Sequence, residues 1–137
     1  MILLDTDVLS ALMREVPEPI SWLDKQVRGA IWTTSVTVFE IRYGLQSMPL
    51  GKRRTLAMAV FERLLDQKIA YRIAPFDTAA AHRAAELMAN RRKAGRPVES
   101  RDTMIAGIAL ATQSAIATRN VRHFADLTVP VINPWDM

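Results

Sequence analysis

The amino-acid sequence predicts a three-layer α/β/α sandwich around a central, mainly parallel sheet. Short apolar segments rich in valine and isoleucine alternate along the chain with longer segments of helical periodicity. The apolar segments are continuous, which is typical of strands that are covered by helices on both faces. The chain has 137 residues and is 50% hydrophobic, a size and composition that suit one hydrophobic core. We therefore expect a single domain over residues 1–137.

Five strands and six helices are predicted. The strands are expected at 1–4, 30–34, 69–74, 115–118 and 129–132, and the helices at 7–14, 20–27, 35–48, 52–65, 77–93 and 100–113. The clearest helix repeats Leu56, Val60 and Leu64 at a spacing of four residues. Pro17 and Pro19 are expected to end the first helix.

The composition is basic, with 18 Lys and Arg against 14 Asp and Glu and a net charge of +4. This balance favours a polyanionic partner. The sequence contains no cysteine, which excludes disulfides and cysteine-based zinc sites. No basic segment precedes a long apolar one at the N-terminus, and no run approaches the roughly 20 apolar residues of a membrane span. We expect a soluble, cytoplasmic protein without a membrane partner.

Three acidic residues and one amide are predicted to meet at one edge of the sheet. Asp5 closes the first strand, Glu40 lies early in the helix after the second strand, and Asp102 lies in the first turn of the last helix. Asn120 follows the fourth strand. Sites in parallel α/β sheets form beyond the carboxyl ends of the strands, so these side chains should converge there. Such oxygen ligands suit Mg²⁺ or Mn²⁺.

Helix capping is the alternative explanation for most of these acidic residues. Asp7 is a good N-cap, Thr37 and Glu40 have the spacing of a capping box, and Asp102 is favoured by the helix dipole. Asp5 differs because it closes an apolar strand, where a lone carboxylate is costly unless another group pairs with it.

Four segments resemble, in order, the motifs of PIN-domain ribonucleases, and most closely the VapC/FitB type of toxin from bacterial toxin–antitoxin pairs. They are MILLDTDVLS, SVTVFEIRYGL, SRDTMIAGIALA and ATRNVRHF. The resemblance covers the whole chain. It implies a PIN fold and a metal-dependent endoribonuclease that uses Mg²⁺ or Mn²⁺ and leaves 3′-hydroxyl and 5′-phosphate ends.

The resemblance also assigns roles to individual residues. Asp5, Glu40 and Asp102 match the catalytic acids that hold the metal ion. Asn120 matches a fourth catalytic position that is often Asp, and the lost charge favours one well-held ion over two.

Neighbouring positions are implied to have secondary roles. Thr6 and Thr118 match positions whose hydroxyls often line the family site, and Asp7 is a secondary candidate beside them. His123 stands where many relatives have Asp, and we expect a structural role for it.

The partners are likewise implied by the resemblance. They are an RNA substrate and a VapB/FitA-like antitoxin with a DNA-binding domain, in a homodimer or a larger hetero-oligomer. Amphipathic helices within residues 36–65 are expected to form the antitoxin groove, with candidates Met48, Leu50, Leu56, Met58 and Phe61. The candidate phosphate-binding residues are Arg42, Arg91, Arg92, Lys93, Arg96, Arg119 and Arg122.

Three other functions remain open from the residues alone. The D-x-D pattern after an apolar strand resembles haloacid-dehalogenase-like phosphatases, although Leu9 stands where that motif has Thr or Val. A phosphoacceptor receiver domain would need a lysine near the last strand, where this chain has Arg119 and Arg122. A non-catalytic α/β binding module, with the acidic residues serving only as caps, is the third.

Overall fold

A five-stranded sheet lies at the centre of the protein. The computed structural model describes residues 1–136. The strands are β1 (Ile2–Leu4), β2 (Ile31–Thr34), β3 (Ile73–Ala74), β4 (Ala115–Ala117) and β5 (Val131–Ile132). Their order is β3-β2-β1-β4-β5, and every neighbouring pair is parallel. The first strand is therefore central, and the carboxyl ends of all five strands lie along one edge.

Six helices cover the two faces of this sheet. They are α1 (Thr6–Met13), α2 (Pro17–Asp24), α3 (Ser35–Gln46), α4 (Lys52–Leu64), α5 (Thr78–Lys93) and α6 (Ser100–Thr112). Helix α4 continues into a π-helical turn at Leu65–Ile69, and 3₁₀ turns occupy Arg28–Ala30 and Val121–Phe124. The predicted sandwich of helices around a parallel sheet is confirmed. Within residues 1–136, no helix combines the length and the apolar composition needed to cross a membrane.

The core consists of two apolar clusters, one on each face of the sheet. In β1, Leu4 belongs to the cluster beneath α1 to α4, whereas Leu3 belongs to the cluster beneath α5 and α6. Ile116 and Ala117 of β4 are divided between the two clusters in the same way. Successive side chains of a strand point to opposite faces. Strands β1 and β4 therefore each contribute to both clusters, which explains their continuous apolar sequences.

Helices α5 and α6 pack closely because Gly107 of α6 faces α5. A Cβ atom at Gly107 would lie 2.6 Å from the carbonyl oxygen of Ala80 and 2.7 Å from the Cβ of Ala84. Both distances are shorter than van der Waals contact, so only glycine permits this approach without a shift. The packing fixes α6, which carries Asp102 in its first turn, against α5.

Two predicted boundaries are wrong. Pro17 is the first residue of α2 and does not separate two helices, because its fixed φ angle and missing N–H suit the start of a helix. The predicted strand 69–74 is reduced to β3. Ile69 ends the π-helical turn, and Ala70 and Tyr71 adopt left-handed φ angles of 51° and 54°. These two residues reverse the chain before β3 begins.

Candidate active site at the carboxyl edge of the sheet

The carboxyl edge of the sheet brings together residues that are distant in the sequence. Leu4 pairs in register with Thr33 of β2 and with Ala117 of β4. The backbone N–H of Asp5 continues this ladder by donating to the carbonyl oxygen of Ala117 at 3.1 Å. Asp5 therefore lies beside Thr118 at the centre of the edge.

Asp5 is a buried carboxylate that caps a helix. Its side chain is only 4% exposed, and Oδ1 accepts a hydrogen bond from the N–H of Val8 at 3.1 Å. Asp5, and not the predicted Asp7, is thus the N-cap of α1. Burial raises the pKa of Asp5 to about 7, although hydrogen bonds from Thr118 and Val8 oppose this rise. None of the ion pairs formed within residues 1–136 includes Asp5.

Glu40 is free of the predicted capping role. Helix α3 is capped by Thr34, whose hydroxyl oxygen accepts from the N–H of Thr37 at 3.1 Å, so the predicted box of Thr37 and Glu40 is wrong. Glu40 instead accepts a hydrogen bond from the Thr6 hydroxyl at 2.7 Å. Its other oxygen lies 3.6 Å from Nη1 of Arg101. Thr6 directly follows Asp5, so this hydrogen bond ties α3 to the centre of the edge.

Asp102 lies in the first turn of α6 but does not cap it. Glu99 is the N-cap, and its side chain accepts from the N–H of Asp102. The carboxylate of Asp102 contacts Nδ1 of His123 at 2.6 Å. Burial raises the pKa of Asp102, and His123 opposes that rise. His123 is therefore a direct partner of a candidate catalytic acid.

Asn120 and Asp7 form a second pair beside these residues. The side-chain amide of Asn120 donates to Oδ2 of Asp7. The backbone N–H of Asn120 donates to the hydroxyl oxygen of Thr118 at 2.9 Å, and this hydrogen bond fixes the turn after β4. The sequence placed Asn120 at the edge but gave no sign of its pairing with Asp7, because 113 positions separate the two residues.

The acidic side chains interact electrostatically but do not form a preassembled metal cage. The negative charges of Asp7 and Asp102 both raise the pKa of Asp5. Within residues 1–136, no three His, Asp or Glu side chains lie close enough together to hold a metal ion. The predicted trio of Asp5, Glu40 and Asp102 is therefore not gathered. The donor chemistry still fits a divalent cation, because Asp5 is a buried carboxylate without a positive partner and its neighbours offer further oxygen ligands.

The same architecture occurs in known proteins. The profile of the PIN domain family matches residues 2–129. The chain belongs to the PIN domain family. VapC ribonuclease Y4jK of Sinorhizobium fredii is 36% identical over 138 residues, which cover 99% of each chain. Toxin FitB of Neisseria gonorrhoeae is 31% identical over 137 residues, covering 98% of this chain and 99% of FitB.

A solved structure extends the similarity to three dimensions. The structure of FitAB bound to an IR36 DNA fragment matches this PIN domain with a TM-score of 0.89 at 31% identity. The match covers 100% of this chain and 97% of the other. Membership of the PIN domain family sets aside the phosphatase and receiver alternatives.

Two of the predicted phosphate-binding arginines of this PIN domain have other partners. Arg91 is 3% exposed and pairs with Asp126 at 2.8 Å, so its prediction as an RNA contact is wrong. Arg42 pairs with Glu62 and lies over the ring of Phe61. A charged residue near a helix end looks exposed in the sequence, and only the tertiary structure shows that Arg91 points into the protein.

A polar pocket of about 320 Å³ opens beside the candidate site. Asp7, Ser10, Arg14, Arg119 and Trp135 line it. The guanidinium of Arg119 lies 4.8 Å from the centre of the Trp135 ring, which holds the cation in place. Within residues 1–136, neither arginine forms an ion pair. Sequence reasoning missed Arg14, because it follows α1 and lies far along the chain from the other basic residues.

An apolar groove of about 530 Å³ lies between α1, α2 and α4. Its apolar lining consists of Leu12, Met13, Ile20, Leu23, Leu56, Val60 and Leu64. Of the five candidates from the sequence, Leu56 lines the groove and is 67% exposed. Phe61 is fully buried, and Met48 and Met58 pack against the core. Leu50 is exposed but does not line the groove. The groove uses α1 and α2, which lie outside the predicted range of 36–65.

Proposed function

We propose that this PIN domain is the toxin of a toxin–antitoxin pair and acts as a divalent-metal-dependent endoribonuclease. The observation that carries the proposal is Asp5, a buried carboxylate without a positive partner beside Asp7 and Asp102. A protein interior tolerates such a group at a cost that a bound cation removes. The names of the relatives, a VapC ribonuclease and the toxin FitB, support RNA as substrate and toxicity as outcome.

Asp5, Asp102 and Glu40 are the residues that would hold Mg²⁺ or Mn²⁺, directly or through water. Such an ion supplies positive charge that lowers the pKa of an attacking water and offsets charge on the phosphoryl oxygens. The reaction is in-line attack on an RNA phosphodiester with departure of the 3′ oxygen. Asn120 carries no charge, which limits the negative charge of the site and favours one tightly held ion.

The remaining polar residues orient these acids. Thr6 donates to Glu40 and so points that carboxylate towards the edge of the sheet. Thr118 fixes Asn120, which in turn holds Asp7. Because each acid has a neutral or positive partner of its own, the site keeps its carboxylates oriented before an ion binds.

The polar pocket is the proposed path of the RNA backbone next to the acids. Arg14 and Arg119 are two guanidinium groups without carboxylate partners in the described chain, and both face a pocket that Asp7 shares with the site. Guanidinium groups bind phosphate through paired hydrogen bonds. Contacts of this kind supply affinity and register without reading the base sequence.

The apolar groove is the proposed binding surface for an antitoxin. An amphipathic segment that buries its apolar face there would use the helix-in-groove mode of recognition. The structure of FitAB bound to a DNA fragment supports a toxin–antitoxin complex that binds DNA. We propose that the antitoxin of this protein carries a DNA-binding domain and that the toxin is a homodimer within a larger complex.

The first experiment compares wild type, Asp5→Asn and the control Asp66→Asn on a labelled mixed RNA pool. Each protein is tested with Mg²⁺, Mn²⁺ or EDTA. We expect wild type and the control to cleave with metal only. Since loss of a residue that merely orients a metal ligand costs about 10-fold to 100-fold, Asp5→Asn should lose more than about 100-fold. Full activity in folded Asp5→Asn would contradict the assignment of this site.

A further inference from the structure

Arg91 of α5 connects three parts of the protein through one buried guanidinium group. Nε and Nη2 donate to the two carboxylate oxygens of Asp126 at 2.9 and 2.8 Å. Nη1 donates to the hydroxyl of Thr103 at 3.0 Å, and Nη2 also donates to the backbone carbonyl of His123 at 2.7 Å. The side chain of Arg91 is only 3% exposed, so the guanidinium group is shielded from water.

Two of these contacts flank Asp102. Thr103 is the next residue of α6, and its hydroxyl also donates to the carbonyl oxygen of Glu99 at 3.3 Å. His123 carries the imidazole whose Nδ1 lies 2.6 Å from the Asp102 carboxylate. One guanidinium thus holds both the backbone turn that carries Asp102 and the residue that contacts its side chain.

Stability alone is a weak explanation for this arrangement. Burying an arginine costs solvation free energy, and well-packed apolar side chains often stabilise a fold as much as a buried ion pair does. What an apolar cluster cannot provide is a set of directional hydrogen bonds to Thr103 and to the carbonyl of His123. The planar fork of arginine provides them in fixed directions at the same time.

We propose that Arg91 is a positioning residue that holds Asp102, through Thr103 and His123, in the orientation that binds the divalent ion. This inference rests on the proposed function of the site. Arg91 does not contact the candidate metal ligands Asp5, Glu40 and Asp102. Because it is buried, it does not contact the RNA either. It acts by fixing the start of α6 relative to the turn at Val121–Phe124.

The test is Arg91→Lys, which keeps the positive charge and loses the simultaneous hydrogen bonds. The readout is the affinity for Mn²⁺, measured calorimetrically without RNA at a temperature where every variant is folded. We expect a loss of about 10-fold to 100-fold, the usual effect of removing a group that orients a metal ligand. Cleavage should fall at low Mn²⁺ and recover towards wild type when Mn²⁺ is saturating.

The matched control is Leu65→Ala, because Leu65 is buried in the core cluster on the other face of the sheet. This variant loses stability without touching Asp102 or its neighbours. We expect its Mn²⁺ affinity to equal that of wild type. If both variants lose affinity equally, Arg91 is only a structural residue and the inference fails.

A second pair of variants keeps the test decisive if Arg91→Lys does not fold. Asp126→Asn removes the carboxylate that pairs with Arg91. Thr103→Val removes the hydroxyl that accepts a hydrogen bond from Arg91. Each should lower Mn²⁺ affinity, and the combined variant should lose less than the sum because the two act through the same side chain. Unchanged affinity in both variants, with normal binding by wild type, overturns the role of Arg91 alone. Failure of wild type to bind Mn²⁺ or to cleave RNA overturns the proposed function itself.

Discussion

Two aspartates of this PIN domain show opposite responses to their surroundings. Asp5 lies at the carboxyl edge of the sheet, where burial raises its pKa to about 7. Asp126 lies after the turn Val121–Phe124, where its hydrogen bonds with Arg91 lower its pKa. Both carboxylates accept hydrogen bonds, so the difference lies first in the burial of Asp5 and then in the charge of the partner of Asp126. A cation stabilises one carboxylate, whereas Asp5 has only neutral donors.

The comparison separates two uses of a carboxylate in one small fold. Asp126 forms a complete pair that links α5 to the turn after β4, and this pair stabilises the native structure. Asp5 is incomplete in the protein alone, because its ionised form is disfavoured by burial and by Asp7 and Asp102. A fold retains such a group at a cost in stability, which is the usual sign of a functional site.

The largest expected effect is a gain in stability for Asp5→Asn in EDTA. The pKa of Asp5 is raised in the folded protein, so the folded state holds a proton that the unfolded chain releases as the pH rises above about 4. Wild type therefore loses stability between about pH 4 and pH 7, and the loss remains above pH 7. Because one pKa unit corresponds to about 1.4 kcal/mol, the cost amounts to a few kcal/mol.

Urea unfolding at a series of pH values measures this effect. Asn is as good an N-cap as Asp, so the variant keeps the hydrogen bond to Val8. We expect the free energy of unfolding of Asp5→Asn to exceed that of wild type at pH 8 and to approach it near pH 4. The free energy of unfolding of Asp66→Asn should equal that of wild type at every pH. Equal stabilities at pH 8 would mean that Asp5 is not desolvated, and the contrast with Asp126 would disappear.

A smaller effect of opposite sign, a loss of stability, is expected for Asp126→Asn. The pKa of Asp126 is lowered in the folded protein, so its contribution is fully present above the ordinary value near 4 and is lost as the pH falls. At pH 7 the variant should lose about 1.5–3 kcal/mol of unfolding free energy, the range for hydrogen bonds that involve charged groups. Urea unfolding at a series of pH values should show that the difference in unfolding free energy between wild type and Asp126→Asn becomes smaller as the pH falls. A deficit that stays constant with pH would assign the effect to packing and not to the ion pair.

Much of this fold follows from the sequence, because the signals are local. Each of the six helices and five strands overlaps the element that the sequence predicts, although α2 begins earlier, at Pro17, and β3 is reduced to Ile73–Ala74. The carboxyl-edge rule correctly placed Asp5 at the edge of the sheet, and the register of β1 with β4 brings Thr118 beside it. The errors occur where a tertiary contact decides the outcome. Asp5 takes the cap predicted for Asp7, and Ala70 and Tyr71 shorten the third strand.

The side-chain contacts within the candidate site were less predictable. No local pattern reveals that His123 contacts Asp102, that Asn120 holds Asp7, or that Arg91 is buried. Each contact joins side chains from different elements, and its distance depends on how α5, α6 and the turn after β4 pack. The carboxyl-edge rule selected the acids, and the family resemblance assigned their catalytic roles. The partners that orient them became visible only in three dimensions.

The smallest expected effect is the stabilisation of the protein by Mn²⁺. It tests whether Asp5 is a metal ligand and Asp126 a structural residue. Mn²⁺ at ten times its dissociation constant should stabilise wild type by about 1.4 kcal/mol, because binding to the native state alone adds RT ln(1 + [L]/Kd). Thermal unfolding should show this shift in wild type and in Asp66→Asn but not in Asp5→Asn. Asp126→Asn should keep a shift, reduced only by its weaker affinity. A shift that persists in Asp5→Asn would place the ion elsewhere, and the raised pKa of Asp5 would then reflect burial without a ligand.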